Sequence, residues 1–147
     1  MVNILFVCIH NSGRSQMAEA FLNNYHDQFI CAESAGLEAG TLNPLVVESM
    51  KETGVDISHN KTKTVMEILE TGKAYDYVVT VCDQAQAERC PFFPGNGRRL
   101  HWDFTDPSSF EGSRQEILTQ IRDVRDKIHD AVNNLVSMIR ETTFNSR

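Results

Sequence analysis

Strand-like and helix-like runs alternate along the whole chain, and that order restricts the fold more than any other feature. Residues 3–8 (Asn-Ile-Leu-Phe-Val-Cys) are a short apolar run, and a Gly-Arg-Ser turn follows. Met17, Ala20, Phe21 and Tyr25 then recur at helical spacing. Residues 28–34 predict a second strand closed by Ala35-Gly36. Residues 44–53 predict a helix, with Pro44 suited to its first turn and Gly54 to its stop. A shorter helical pattern covers 64–71 and ends at Gly72. Residues 76–82 are rich in β-branched and aromatic side chains and predict a strand; 99–102 predict a last short one. Ile117, Ile121, Val124, Ile128, Val132, Leu135 and Ile139 step by four or three, the stripe of a long amphipathic helix. This alternation predicts an α/β fold: one three-layer domain over residues 1–147, with a four-stranded parallel sheet flanked by helices. The stretch 83–98 carries no clear pattern and reads as a long loop, a place where function often sits.

The 147 residues suit one domain with a core that needs no staples. A net charge of −6 argues against a nucleic-acid or anionic-membrane surface, so any anion site must be a local positive focus. No basic stretch precedes the first apolar run, and no run reaches the roughly 20 residues of a membrane span, so a cytoplasmic location is expected. In such a reducing compartment, Cys8, Cys31, Cys82 and Cys90 suggest catalysis or metal binding before structural disulfides.

Cys8 stands where the first strand meets the first helix. The intervening Ile9, His10, Asn11, Ser12 and Gly13 can curl so that backbone N–H groups point inward, beside the positive end of a helix. Arg14 offers a planar fork for two oxygens of a tetrahedral oxyanion. The same field favours the Cys8 thiolate, to which Ser15 can donate a hydrogen bond. The bland alternative is a buried strand-end cysteine before an ordinary helix. Asp106-Pro107 lies far down the chain. Proline holds the preceding residue extended and can aim its carboxyl group, although Asp-Pro is also a common turn.

Cys82 ends the third strand, and in a parallel sheet it emerges on the same edge as Cys8. Cys90 follows eight positions later. If the segment between them were all helical, the two Cα atoms would lie about 12 Å apart, too far for a disulfide, which needs roughly 4.4–6.8 Å. Bridging them therefore requires the segment to unwind or loop out. Two other readings stay open: two independent buried thiols, or a zinc site from Cys8, His10, Cys82 and Cys90. The zinc reading lacks a tight Cys pair. Cys31, Tyr75, Tyr77 and Trp102 read as core, and the charged residues of 114–130 read as a solvated helix face.

The stretch Cys8-Ile-His-Asn-Ser-Gly-Arg-Ser-Gln-Met-Ala-Glu19, together with Asp106-Pro107, resembles the low-molecular-weight tyrosine phosphatases and the arsenate reductases that share their fold. Cys82-Asp-Gln-Ala-Gln-Ala-Glu-Arg-Cys90-Pro91 resembles the redox segment of the three-cysteine, thioredoxin-coupled reductases, with slightly longer spacing. His10 stands where that family usually has glycine, and Gly13 where a cysteine is frequent. The resemblance implies a monomer without tightly bound cofactor or metal. It implies that Ile9, His10, Asn11, Ser12, Gly13, Arg14 and Ser15 hold arsenate. Cys8 would act as nucleophile, Arg14 as oxyanion clamp, Asp106 as acid, and Cys82 and Cys90 as resolving thiols, with thioredoxin as external reductant. Some relatives bind potassium at positions matching Asn11, Glu19 and Ser34; Lys63, standing where an acidic partner is usual, would replace the ion. A phosphatase is the rival enzyme. Relatives of that kind carry tyrosines after the Asp-Pro, where Ser108, Ser109 and Phe110 stand here. A thiol module that only binds arsenite or zinc is the non-enzymatic rival, and it has no use for Asp106.

Overall fold

The computed structural model describes residues 1–145. Four strands, β1 (Val2–Cys8), β2 (Ile30–Gly36), β3 (Tyr77–Thr80) and β4 (Arg98–His101), form one parallel sheet in the order β2-β1-β3-β4. Helix α1 (Arg14–Asn23) links β1 to β2, and α2 (Pro44–Lys51) and α3 (Val65–Glu70) lead to β3. The short α4 (Gln84–Ala87) precedes β4, and α5 (Arg114–Asn145) closes the chain. From β1 the chain steps first to one side and later to the other. The strand order therefore reverses between β1 and β3, and the carboxyl ends of those two strands border a crevice.

The apolar run in β1 is continuous because both of its faces are covered. Ile4, Phe6 and Cys8 enter the larger core with Met17 and Phe21 of α1, Val46 and Met50 of α2, and Ile121, Ile128, Val132 and Ile139 of α5. Leu5 and Val7 enter a smaller core with Val65, Ile68, Tyr75, Val78 and Cys90. The α5 stripe is thus a core face. Its charged side is less free than the sequence implied, because Arg122 and Arg125 both reach Glu52 beyond α2, at 2.7 and 2.9 Å.

Boundaries differ from the sequence reading where tertiary pairing decides them. β2 continues through Gly36, which pairs with Cys8 and donates its N–H to the Lys63 carbonyl at 2.7 Å. β3 stops at Thr80, although the Val81 N–H still donates to the Val7 carbonyl at 2.8 Å, so Cys82 lies just past the strand. The stretch 83–98 is not all loop. Asp83 caps α4 by accepting from the Gln86 N–H at 2.9 Å, a helix-start signal visible in Asp-x-x-Gln. Cys31 is only partly buried and donates to Asn3 Oδ1 at 3.1 Å instead of entering the core. No helix among the described residues is long and apolar enough to cross a membrane.

Candidate active site

The loop after β1 wraps around the Cys8 sulfur. The Asn11 N–H donates to Cys8 Sγ at 3.2 Å, and Ser15 Oγ lies 2.9 Å from it. Asn11 is wholly buried, with a left-handed φ of 56° that asparagine tolerates better than most residues. Its amide orientation follows from its neighbours. The Lys63 backbone N–H can only donate, so the oxygen facing it at 3.0 Å is Oδ1, which also accepts from Gln16 Nε2 at 3.1 Å. Asn11 Nδ2 then donates to Ser15 Oγ at 2.7 Å and to Ser34 Oγ at 2.9 Å. Having accepted from Asn11, the Ser15 hydroxyl is free to donate to Cys8. The α1 N-terminus has no side-chain cap and no acidic residue in its first turn, so its positive end stays available.

Gly36 permits this close wrap. A Cβ there would stand 2.7 Å from the Asn11 nitrogen and 2.7 Å from the His10 carbonyl carbon. Gly36→Ala is therefore expected to push the loop off β2 and cost about 1–3 kcal/mol, read as a lower urea midpoint at unchanged slope. A midpoint equal to that of the unsubstituted protein would show that the loop yields without cost.

Cys8, His10, Ser12, Gly13, Arg14, Asn43, Asp106 and Pro107 line one small polar cleft. Asn43, which the sequence reading missed, also caps α2 and donates its N–H to the Ser12 carbonyl at 2.9 Å. Arg14 is 4% exposed; its Nη1 donates to the Phe104 carbonyl at 2.8 Å and its Nη2 lies 3.5 Å from Asp106 Oδ2. Asp106 Oδ1 accepts from the Ser108 N–H at 2.9 Å, in a short 3₁₀ turn started by Pro107. The carboxyl group is thus held by its own turn and aimed at the cleft.

Cys82 and Cys90 do not line this cleft. Cys82 is fully buried behind it, close enough for Arg14, Cys8 and Cys90 all to act on it. Burial, partly offset by Arg14, pushes its thiol up to about 11. Cys90 packs in the smaller core, on the other face of the sheet from Cys8, and burial raises its thiol too, against the pull of Arg99. All four cysteines are free. Cys8 lies in the cleft beside the Asn11 N–H and the Ser15 hydroxyl, while Cys82 and Cys90 are buried with raised thiols.

The positions matching potassium ligands in relatives do meet, but they do not form an oxygen cage. Asn11 presents its nitrogen to Ser34, and Ser34 donates to Glu19 Oε1 at 3.2 Å. Burial raises the Glu19 carboxyl above its ordinary range, and the charge of Lys63 pulls it back down. Among the described residues no group of three or more His, Cys, Asp or Glu side chains is placed to hold a metal.

Residues 3–144 match the family described as low molecular weight phosphotyrosine protein phosphatase. The chain belongs to that family. Within this phosphatase family it is 44% identical over 126 residues to an arsenate reductase of Halalkalibacterium halodurans, covering 85% of this chain and 88% of that one. A solved arsenate reductase in its phosphate-binding state superposes with a TM-score of 0.76 at 29% identity, over 95% of this chain and 99% of the other. A thioredoxin-dependent arsenate reductase of Corynebacterium glutamicum gives 0.60 at 32% identity, over 90% of this chain and 62% of its own length.

Proposed function

We propose that this protein reduces arsenate to arsenite through a relay of three cysteines. The observation that carries the reading is a thiol surrounded by hydrogen-bond donors at the cleft floor, backed by a second buried thiol and a third on the far face of the sheet. Arsenate enters the cleft, where the loop amides and Arg14 bind its oxygens. The Cys8 thiolate attacks arsenic, and Asp106 protonates the oxygen that leaves as water. Cys82 gives up its proton and attacks Cys8 Sγ. The electron pair of the breaking S–As bond stays on arsenic, so arsenic(V) leaves as arsenite and a Cys8–Cys82 disulfide remains. Cys90 attacks Cys82, Cys8 departs as thiolate, and a Cys82–Cys90 disulfide is left for an external dithiol to reduce.

That dithiol is a thioredoxin, the reductant named for the Corynebacterium relative. The chain works as a monomer in the reducing cytoplasm, with no tightly bound cofactor. The test is arsenate-dependent NADPH oxidation by the purified protein with thioredoxin and its reductase, with glutaredoxin in parallel. Sustained oxidation with thioredoxin is expected, and none with either donor would overturn the reading. Phosphatase chemistry shares Cys8, Arg14 and Asp106 but not the other two thiols. The Cys82→Ser/Cys90→Ser pair should therefore lose arsenate turnover and keep any weak phosphatase activity.

A further inference from the structure

Glu38 occupies a position that neither the anion cleft nor the thiol relay, as described so far, explains. It lies just after β2, in a turn bound to the nucleophile loop by backbone: the Leu37 N–H donates to the Cys8 carbonyl at 2.9 Å and the Glu38 N–H to the Ile9 carbonyl at 2.8 Å. Gly40 completes the fit, since a Cβ there would stand 2.6 Å from His10 Cβ. The turn is thus fixed against the nucleophile loop. The two carboxylate oxygens of Glu38 face different elements. Oε2 meets His10 Nε2 at 3.2 Å, on the loop. Oε1 meets Arg89 Nη2 at 2.7 Å, on the residue directly before Cys90.

We propose that Glu38 is a positioning residue that tethers the Cys90 segment to the nucleophile loop through Arg89 and holds Cys90 folded until the relay draws it away. This rests on the thiol-relay reading for its purpose, though not for its test. On the other side of Cys90, Arg99 donates to the Cys90 carbonyl at 3.1 Å and the Pro91 carbonyl at 2.8 Å. Cys90 is therefore pinned from both sides, 5% exposed. The two anchors differ. Arg99 grips backbone from β4, whereas the Glu38–Arg89 pair joins two half-exposed side chains and is the weaker link. A Cys82–Cys90 bond pulls Cys90 out of the smaller core toward Cys82. The Arg89 side chain then has to leave Glu38, which frees the segment for a protein reductant.

Fully reduced protein, without arsenate or reductant, is treated with iodoacetamide, and alkylation of each cysteine is followed by peptide mass spectrometry. Glu38→Gln and Arg89→Gln should each speed Cys90 alkylation about two- to fivefold, the range open to an exposed ion pair. The double variant should be no faster than either single one. Arg89→Lys, which keeps the charge, should stay near the rate of the unsubstituted protein, and Cys8 alkylation and Tm should not change. Amide exchange should quicken for Ala87, Glu88, Arg89 and Cys90, whose N–H groups close the turns of this segment. Unchanged Cys90 alkylation in both single variants, or additive effects in the double, would overturn the tether. Because the assay needs no arsenate, its failure would leave the reductase reading intact, and an inactive reductase would leave the tether intact.

Discussion

Cys90→Ser is expected to reduce arsenate about once per molecule and then stop. In this variant Cys8 and Cys82 still transfer two electrons to arsenic, and their disulfide forms at the cleft floor. Cys8 is 2% exposed and Cys82 fully buried, so a protein reductant cannot approach either sulfur. The serine hydroxyl cannot take over the exchange. Rapid quench should show arsenite equal to enzyme, with the chain lighter by two hydrogens. Undiminished turnover with thioredoxin would refute the relay. The rate of the single turnover should also rise with pH between about 7 and 9. A thiol at about 11 is only roughly a thousandth ionised at pH 8, and each unit upward raises the Cys82 thiolate toward tenfold. Burial is the cause, so the rise reports the place of Cys82 behind the cleft and not a property of cysteine in general.

Arg14→Lys should lower kcat/KM for arsenate by about a hundred- to a thousandfold, the range seen when one oxyanion donor is removed. The exchange keeps the charge, and still it is not conservative. The guanidinium spans the Phe104 carbonyl and the Asp106 carboxylate with separate nitrogens, and its plane fits two oxygens of one anion. An ammonium is a point donor and cannot hold these partners and the substrate together. Asp106 would then lose its alignment as well as the clamp. A fall of less than about threefold would mean that the loop amides and the helix end bind the oxyanion without Arg14.

Much of this arrangement was legible in local spacing. Cys8, the five-residue loop and Arg14 belong to one strand-loop-helix unit, so their meeting needs no distant partner. The alternating apolar runs implied a parallel sheet, and a parallel sheet puts the carboxyl ends of β1 and β3 on one edge, where Cys82 emerges beside Cys8. Asp106 was harder, because Asp-Pro reads equally as a turn. The family resemblance pointed to it as the acid, and the fold sets its turn against Arg14 and Gly13.

Other features had no local trace. By sequence Asn11 is grouped with Glu19, Ser34 and Lys63 only through the family resemblance. In the fold it is the hub for Ser15 and Gln16 of α1, Ser34 of β2 and Lys63, three stretches far apart along the chain. Glu38 and Arg89 stand far apart along the chain and pair only because two loops descend on the same edge of the sheet. That Cys90 sits in the smaller core with Val7 and Val78 is set by where its segment docks on the sheet, which residue spacing alone does not show.

By itself the sequence pointed to the kind of chemistry: a candidate cysteine nucleophile, a loop suited to an anion, and two further thiols downstream of a parallel strand. These are short-range patterns, in which residue type and spacing within one unit set the geometry. Only the tertiary structure decided which thiol lines the cleft among hydrogen-bond donors and which two are buried behind it and under the sheet. That outcome depends on burial and on hydrogen bonds between distant segments, and both exist only once the loops have docked on the sheet.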